Sequence, residues 1–333
     1  MKQPSKLASS FALVSSPGMH ELAESVRIKL KTLGLTVPHL HIEYTRFGNG
    51  EVLPRIPETI RQQHVFFFHP LQYPDPNQAI IMMLLTCDAL KRASANGVTL
   101  VVPYLSYMRQ DRKDKPRVPI SARVVFDLIE ATKVVKRIIT MDLHAEQEQG
   151  FFSEPLDNLT SIPLYHDFAK ERFPSFKDVI ILSPDFGGAV RARRFAEKLG
   201  IDVLVAIIEK RRPGPNQSEV LNIVGPSLQD KIVVMYDDMI DTGGSMLGSM
   251  KALMSMKNPP REAHVWVTHG IMSSGAEQRF ADSNLSVVCT NSIPRTVEYL
   301  AANPWLTMIP IDGLLAHTIY ENTIVGGSVS KLS

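Results

Sequence analysis

Carboxylates and glycines follow an apolar run in KIVVMYDDMIDTGGSM, residues 231–246. The glycines of the DTGGS segment allow backbone N–H groups to approach an anion closely, and the start of a following helix adds a positive dipole end. Thr242 and Ser245 offer hydroxyl donors to the same anion. The segment therefore predicts a cradle for a phosphate monoester between a strand and a helix.

The adjacent aspartates suggest what carries that phosphate. A carboxylate does not favour contact with phosphate unless a cation intervenes, but it accepts hydrogen bonds from vicinal sugar hydroxyls. We therefore interpret the two carboxylates as exposed at the end of a strand, where they bind a sugar beside the cradle. The predicted ribose 5-phosphate site consists of Asp237, Asp238, Asp241, Thr242, Gly243, Gly244 and Ser245.

Two further segments join predicted strands to polar residues. In SPDFGG, Asp185 precedes Gly187 and Gly188, so the loop can hold a second anion and Asp185 can reach a magnesium ion bound to that anion. The glycine pair alone is equally typical of a tight turn. In MDLHAEQ, Asp142 and His144 lie two apart on an extended segment, which predicts that both point the same way. Because magnesium prefers oxygen, His144 is either an atypical ligand or an ordinary polar residue.

Two basic segments lie near these motifs. EKRRPGPNQSE, residues 209–219, is either a solvated basic turn or a mobile clamp over a phosphoryl group in transit, where catalysis rests mainly on positioning and charge. The second segment, residues 109–117, has few aromatic residues among its cations. This composition favours a pocket for polyphosphate over a nucleic-acid-binding groove. Its cations are Arg109, Arg112, Lys113, Lys115 and Arg117.

Seven short apolar runs, rich in β-branched residues, predict strands buried on both faces of a parallel sheet. Helical patterns lie between them, as in Ala192, Phe195, Ala196 and Leu199 followed by Gly200, so the fold class is α/β. Ligands bind beyond the carboxyl ends of such strands. The runs are VFFF 65–68, VTLVVPY 98–104, RIITMDL 137–143, DVIILSP 178–184, VLVAII 203–208, KIVVMY 231–236 and AHVWVTHG 263–270.

Length and composition limit the remaining possibilities. A chain of 333 residues predicts two domains, which we place at 1–155 and 156–333. The net charge of +2 requires no nucleic-acid partner, and no segment approaches the roughly 20 apolar residues of a membrane span. We recognise no signal peptide, and two cysteines far apart in sequence, Cys87 and Cys289, favour a reducing compartment. We therefore expect a cytoplasmic protein.

The motifs together resemble those of a known family. YDDMIDTGGS is similar to the phosphoribosyl diphosphate fingerprint of type I phosphoribosyltransferases. The other loops resemble ribose-phosphate diphosphokinase, also called phosphoribosyl pyrophosphate synthetase: SYMRQDRKDKPRVPISARVV, MDLHAEQEQGFFSEPLDN, SPDFGGAVRARR and EKRRPGPNQSEV. This resemblance runs from about Phe47 to the tail GGSVSKL, and simple phosphoribosyltransferases lack the motifs on the ATP side.

The resemblance implies two similar type I phosphoribosyltransferase-like α/β domains, assembled as dimers that build hexamers. It implies transfer of the β,γ-pyrophosphoryl group of Mg–ATP to the 1-hydroxyl of ribose 5-phosphate, with release of AMP. The implied catalytic pair is Lys210 and Arg212, and Arg212 also joins the ribose 5-phosphate site. The implied ATP-binding residues are Phe47, Asn49, Gly50, Glu51, Arg109 and Gln110. The implied magnesium positions are His144 and Asp185, with Asp142 close by, and Asp185, Gly187 and Gly188 form the pyrophosphate loop.

The chain departs from the family pattern at several positions. Asn49 stands where the adenine-facing hairpin usually has aspartate, Glu148 where an apolar residue is usual, and Ser245 where threonine is usual. Ser328 and Ser330 match the regulatory phosphate and ADP site, although the region after Arg61 differs. Two alternatives remain open: a non-catalytic regulatory homologue, and a pyrophosphokinase acting on a larger ribose 5-phosphate derivative.

Overall fold

The computed structural model describes residues 10–72, 75–200, 205–214, 217–273, 275–283 and 285–329, with the backbone alone for 205–214 and 217–222. The chain forms two compact units, one of residues up to Thr160 together with those from Ile311 onward, the other of Ser161–Pro310. Both contain a mainly parallel sheet flanked by helices, as the sequence predicts. Within the described residues, no helix is long and apolar enough to cross a membrane.

The elements are numbered here in chain order. The strands are β1 Phe11–Ser15, β2 His39–His41, β3 Glu43–Arg46, β4 Val52–Arg55, β5 His64–Phe68, β6 Gly97–Val101, β7 Val135–Met141, β8 Leu156–Leu159, β9 Val179–Ser183, β10 Val205–Gly214, β11 Gln217–Val224, β12 Ile232–Ile240, β13 Glu262–Gly270, β14 Val287–Thr290 and β15 Leu306–Ile309. The helices are α1 His20–Thr32, α2 Pro76–Arg92, α3 Ser121–Ala131, α4 Ile162–Arg172, α5 Ala189–Lys198, α6 Gly244–Met254, α7 Ala276–Ala281, α8 Val297–Ala302 and α9 Asp312–Thr323, with a 3-10 helix at Glu146–Phe151.

The sheet of the first unit has the order β2-β1-β5-β6-β7-β8, with parallel pairing between neighbours. Its central strands are buried on both faces, which explains why they are continuous apolar runs rather than alternating ones. Strands β3 and β4 form a separate antiparallel hairpin. Helix α2 begins where Asp75 accepts hydrogen bonds from Asn77 N at 3.0 Å and Gln78 N at 3.1 Å, with Pro76 at its first position.

The sheet of the second unit has the order β11-β10-β9-β12-β13-β14-β15. Its neighbours pair in parallel except β10 and β11, which are antiparallel. The predicted helical pattern is confirmed, because α5 buries Ala192, Phe195 and Ala196. Helix α6 likewise buries Met246, Met250 and Leu253. Gly200 follows α5 with φ +67°, the left-handed conformation that commonly ends a helix.

Each of the seven predicted runs contains a strand, but the chain also forms strands that the sequence analysis did not single out. The most central of these is β1, whose apolar stretch FALV is too short to stand out in the sequence. The tail also differs from the predicted domain range, because α9 belongs to the first unit. There Asp312 accepts a hydrogen bond from Ser25 and lies 3.7 Å from Lys29 Nζ, both on α1.

Candidate active site

The strand order of the second unit reverses between β9 and β12, and open α/β sheets bind ligands at the carboxyl end of such a switch point. Strand β9 ends at Ser183 and leads into the SPDFGG loop, while β12 carries Asp237 and Asp238. The predicted pyrophosphate loop and the predicted sugar site therefore meet at one edge of one sheet.

The two aspartates are less exposed than predicted. Strand β12 does not end before them but continues to Ile240, and Asp237 pairs with Val267 of β13. Asp238 is only 3% exposed and Asp237 is half-buried. The prediction of carboxylates exposed beyond a strand end is therefore wrong, because pairing with the long strand β13 extends β12 past its apolar run.

Arg191 stabilises this buried pair. Its Nη1 lies 3.0 Å from Asp237 Oδ1 and 3.7 Å from Asp238 Oδ1. The sequence analysis did not identify this residue. The sequence nevertheless indicates that Arg191 has an acidic partner. It lies in the first turn of α5, where the helix dipole disfavours a cation unless an anion is near.

The environment of Asp237 favours the protonated carboxyl. Burial raises the pKa of Asp237, and the neighbouring charge of Asp238 raises it further, while Arg191 opposes both effects. Asp237 Oδ1 also accepts a hydrogen bond from the backbone N of Asp238 at 2.9 Å. A further donor at this carboxyl would favour its ionised form, and the vicinal hydroxyls of a sugar are such donors.

The SPDFGG loop is held tightly against the two strands. Gly188 N donates to Asp185 Oδ1 at 3.0 Å, and Ser183 Oγ donates to the backbone oxygen of Asp185 at 2.6 Å. A Cβ at Gly188 would lie 2.9 Å from Ser183 Oγ and 3.6 Å from Asp237 Oδ1. Glycine is thus required here by the close approach of the loop to β9 and β12.

The predicted phosphate cradle lies at the start of α6. Gly243 has φ +74°, and a Cβ there would lie 2.6 Å from the ring of Phe280. Because glycine has no side chain to cap the helix, the first backbone N–H groups of α6 are suited to an anion. Asp241 accepts a hydrogen bond from Ser273, and Arg279 Nη1 donates to the backbone oxygen of Thr242 at 2.8 Å, so both ends of the cradle are anchored.

Lys210 and Arg212 lie on β10, where the sequence predicted a loop. The backbone of β10 continues to Gly214 and pairs with β11, with register shifts between Glu209 and Lys210 and between Arg211 and Gly214. The predicted loop is therefore corrected to a hairpin with irregular pairing between β10 and β11. The side chains of Lys210 and Arg212 lie outside the described residues.

The first unit contains the predicted ATP-side residues. The resemblance implies a hairpin around FGNGE, and the structure places these residues between β3 and β4 with Gly50 at φ +91°. Phe47 is 48% exposed, and Asn49 Oδ1 accepts from Glu51 N at 3.2 Å. Arg109 and Gln110 are exposed on the segment between β6 and α3.

The predicted metal residues of the first unit follow β7. Asp142 has φ +35° and its N donates to Leu159 O at 2.8 Å, so the segment turns at Asp142 and is not extended as predicted. Asp142 is half-buried and His144 exposed. The oxygens of Asp142, and of Asp185 in the second unit, are ligands that suit magnesium, whereas the nitrogen of His144 suits it less.

One departure from the family pattern, Glu148, has a structural account. Glu148 is fully buried, and its Oε2 accepts from Ala145 N at 3.3 Å, so the carboxylate caps the 3-10 helix. In the tail, Ser328 N donates to Glu321 Oε2 at 2.7 Å. Ser330 lies outside the described residues, and Arg61 is exposed.

The switch point of the first unit, between β1 and β5, carries a buried polar chain instead of carboxylates. His69 Nε2 donates to Ala79 O at 2.8 Å, so its Nδ1 accepts from Ser16 Oγ, also at 2.8 Å. Ser16 Oγ in turn lies 2.9 Å from Tyr44 Oη, which lies 2.8 Å from Thr86 Oγ1. This chain joins hairpin strand β3 to the sheet and to α2.

Comparison with known proteins identifies the family. Residues 11–132 match the N-terminal domain of ribose phosphate pyrophosphokinase, and residues 156–299 match the phosphoribosyl transferase domain. A ribose-phosphate pyrophosphokinase from Helicobacter hepaticus is 42% identical over 278 residues, which are 82% of this chain and 85% of that protein. The chain belongs to the ribose-phosphate pyrophosphokinase family. A second relative with this name, from Bacillus cereus, is 40% identical over 288 residues, 86% of each chain.

A solved structure agrees with this assignment. Phosphoribosylpyrophosphate synthetase from Mycobacterium smegmatis superposes with a TM-score of 0.80 at 34% identity, over 94% of this chain and 99% of that chain. The predicted family and fold are thereby confirmed. As a member of this family, the chain is an enzyme, a transferase of the kinase type in nucleotide biosynthesis.

Proposed function

We propose that the chain transfers the β,γ-pyrophosphoryl group of Mg–ATP to the 1-hydroxyl of ribose 5-phosphate. The acceptor oxygen forms a bond to the β-phosphorus, the bond from that phosphorus to the oxygen bridging it to the α-phosphate breaks, AMP leaves and the hydroxyl proton is released. The observation that carries the proposal is the switch point of the second unit, where Asp237, Asp238 and Arg191 stand beside an uncapped start of α6.

The second unit binds the acceptor in this proposal. The N–H groups at the start of α6, with Thr242 and Ser245, hold the 5-phosphate. Asp237 accepts hydrogen bonds from the ribose hydroxyls, and Arg191 keeps its carboxylate oriented while the hydroxyls approach. Pairing of β12 with β13 up to Ile240 holds Asp237 in place. Such positioning matters because it accounts for much of the rate of a phosphoryl transfer.

In this proposal the first unit binds the nucleotide part of the donor. Phe47, Asn49, Gly50 and Glu51 contact the base, and Arg109 and Gln110 bind the triphosphate. Asp142 and His144 in the first unit, and Asp185 in the second, would each be a position for Mg²⁺, which when bound neutralises charge on the polyphosphate. Gly187 and Gly188 leave room for the pyrophosphoryl oxygens at the loop backbone.

Lys210 and Arg212 are the catalytic residues in this proposal. A transferring pyrophosphoryl group spreads negative charge over its equatorial and bridging oxygens, and two cations placed over it stabilise that charge in the transition state. Arg212 also contacts the 5-phosphorylated sugar. No covalent enzyme intermediate is required.

A labelled-product assay tests the reaction. The purified chain is incubated with Mg²⁺, ribose 5-phosphate and ATP labelled separately at the α-, β- and γ-phosphates. We expect the α label in AMP and the β label in the sugar product, in equal amounts. A γ label transferred without the β label, with release of ADP, would contradict pyrophosphoryl transfer.

The same assay separates the alternatives. A larger ribose 5-phosphate derivative that reacts with a much higher kcat/KM than ribose 5-phosphate would identify a different acceptor. Absence of AMP with either acceptor, together with an effect on the activity of another ribose-phosphate pyrophosphokinase, would identify a regulatory homologue.

We also propose a homo-oligomer, built from dimers to a hexamer, in the cytoplasm. Apolar side chains one helical turn apart on α2 and α3 support association, since Ile81 is 53% and Leu85 41% exposed, and Val124 is 50% and Leu128 40% exposed. Both cysteines are free and buried, in keeping with a reducing compartment. Sedimentation of the full chain at several concentrations measures the assembly.

A further inference from the structure

Three histidines converge in the first unit, and none of them belongs to the residues assigned above. His20 is the first residue of α1, and His39 and His41 lie two apart on β2, so they share one face of that strand. One ring nitrogen from each lies within 4.8 Å of the others. His39 is almost fully buried, His20 is half-buried and His41 is exposed.

The hydrogen bonds around this group, the histidine cluster, determine which nitrogens carry protons. Glu24 Oε2 lies 3.1 Å from His39 Nδ1, and a carboxylate only accepts, so Nδ1 carries the proton and Nε2 presents a lone pair. Ser15 Oγ lies 2.7 Å from that Nε2 and 2.7 Å from His20 Nδ1. Since the single hydroxyl proton goes to His39, His20 Nδ1 donates to Ser15. His20 Nε2 therefore also presents a lone pair.

The two less exposed rings are neutral at neutral pH. Burial, followed by the neighbouring His41 and His39, lowers the pKa of His20 to about 4. Burial likewise lowers the pKa of His39. His20 and His41 stack with ring centroids 4.0 Å apart, which holds the two rings side by side. Neutral imidazole is the form that binds metals.

We propose that His20, His39 and His41 form a binding site for a divalent transition-metal ion of the Zn²⁺ type. Imidazole nitrogen suits such ions, and three histidines leave the fourth tetrahedral position to water or to the Ser15 hydroxyl. Zn–N bonds of about 2.0–2.1 Å place the nitrogens about 3.3 Å apart, so the cluster contracts when it binds the ion.

The surroundings of His39 also match a metal site. Metal-bound histidines commonly donate their second N–H to a carboxylate, which fixes the ring and raises its basicity. Glu24 occupies that position, and Arg27 holds it with Nε at 2.8 Å and Nη2 at 2.6 Å. The hydrogen bond from Arg27 lowers the pKa of Glu24 to about 2, so the carboxylate stays ionised.

An ion at this site would join three elements. Strand β2 is a three-residue edge strand, and only Ile42 separates it from β3 of the adenine-facing hairpin. Bound metal would connect β2, which carries His39 and His41, to the start of α1, which carries His20. Strand β2 is also paired with β1, so the metal would hold all three elements together. The metal–nitrogen bonds would replace the hydrogen bonds of Ser15 to His20 and His39. Because they are stronger, they would fix the base of the hairpin more firmly.

Zinc titration of the full chain tests the proposal. The protein is stripped with a chelator, returned to excess Mg²⁺ to occupy oxygen-rich positions, and titrated with Zn²⁺ by calorimetry. We expect one zinc ion per chain and a rise in Tm. His41→Ala, a change at an exposed position, should weaken the affinity at least about 100-fold, and Glu24→Gln about 10–100-fold. Co²⁺ should give the intense visible absorption of tetrahedral coordination in the natural protein and not in His41→Ala.

Two variants serve as controls. His317→Ala removes an exposed histidine of the same unit and should leave zinc affinity unchanged. His144→Ala reports zinc at the predicted magnesium position. The proposal is overturned if the natural protein binds no zinc in excess Mg²⁺, if His41→Ala and Glu24→Gln bind it as tightly as the natural protein, or if only His144→Ala loses it.

Discussion

The strand order reverses between β1 and β5 in the first unit and between β9 and β12 in the second, yet the two switch points carry different side chains. The second contains Asp237, Asp238 and Arg191, charged groups that can exchange partners with a ligand. The first contains Ser16 and His69, whose hydrogen bonds are completed within the protein. The first switch point therefore joins elements of its own unit, whereas the second is the one at which we propose substrate binding.

This difference has a physical basis in the hydrogen-bonding capacity of the groups. A carboxylate pair with one arginine retains acceptor capacity, and burial makes additional donors favourable. A neutral histidine between a hydroxyl and a carbonyl uses both of its nitrogens. The first unit therefore binds its ligand, as we propose, through residues beyond other strands, such as Arg109 after β6 and Asp142 after β7. If this difference holds, variants of the second unit should lose activity, whereas variants of the first switch point should lose stability.

The largest effect should come from the proposed clamp of the second unit. Lys210→Ala and Arg212→Ala should each lower kcat by about 10³-fold or more, because each removes a cation from the transition state. KM for both substrates should change much less. Steady-state kinetics measures both constants. Arg211→Ala removes the same charge from the intervening position and serves as the control, and a large rise in KM with unchanged kcat would indicate substrate binding alone.

The buried His69 should make the first unit sensitive to acid. Burial lowers its pKa to about 4, whereas a histidine in an unfolded chain titrates near 6.5. Between these values the unfolded state binds more protons, so stability rises with pH through this window and falls by about 3 kcal/mol on acidification from pH 7 to 4. The measurement is denaturant unfolding at several pH values.

His69→Gln should flatten that dependence, because the amide has no proton to gain. His317→Gln, at an exposed histidine, should retain the slope of the natural protein. An equal slope in His69→Gln would show that other groups, such as His20, dominate the acid sensitivity.

Asp237 should matter for one substrate only. Asp237→Ala should weaken ribose 5-phosphate binding by about 1.5–3 kcal/mol, roughly 10–100-fold, through loss of a charged acceptor. Mg–ATP binding should be nearly unchanged, and separate calorimetric titrations would measure both. Asp178→Ala removes an exposed carboxylate paired with Lys231 and serves as the control. A loss confined to ATP affinity would mean that the two substrate sites are exchanged.

The hydroxyl of Tyr44 should contribute to stability rather than to turnover. Tyr44→Phe breaks the buried chain at the first switch point and should lower the free energy of unfolding by about 1–2 kcal/mol. The value of kcat should stay within about twofold, in contrast to the clamp variants. Tyr107→Phe, in the same unit but partly exposed, should have a smaller effect on unfolding. Greatly reduced kcat with unchanged stability would make the first switch point functional.

The smallest effect concerns nucleotide choice at the hairpin. Because Asn49 Oδ1 accepts from Glu51 N, its NH₂ group is directed outward as a donor, which suits the carbonyl of guanine better than the amine of adenine. Asn49→Asp should therefore raise the ratio of kcat/KM for ATP to that for GTP by up to about tenfold. An unchanged ratio would show that Asn49 does not contact the base.

Much of the fold could be predicted from the sequence, because the signals are local. Two-sided burial makes β5, β6 and β12 continuous apolar runs, and the 3.6-residue period marks α5 and α6. The glycine positions were predictable for the same reason, since Gly243 adopts a left-handed φ that other residues rarely accept. The sequence by itself thus determined the fold class and the family.

Only the tertiary structure decided which distant residues meet. Arg191 and Asp237 are 46 residues apart, and Ser25 and Asp312 are 287 apart. The hydrophobic period of a single element does not predict such pairs. They depend on the order of the strands in the sheet and on where each helix packs against it. The length of β12 likewise depends on its neighbour β13, and the histidine cluster on the parallel pairing of β1 with β2. The sequence gives the chemistry of each side chain, but the packing of the sheets determines which side chains become its partners.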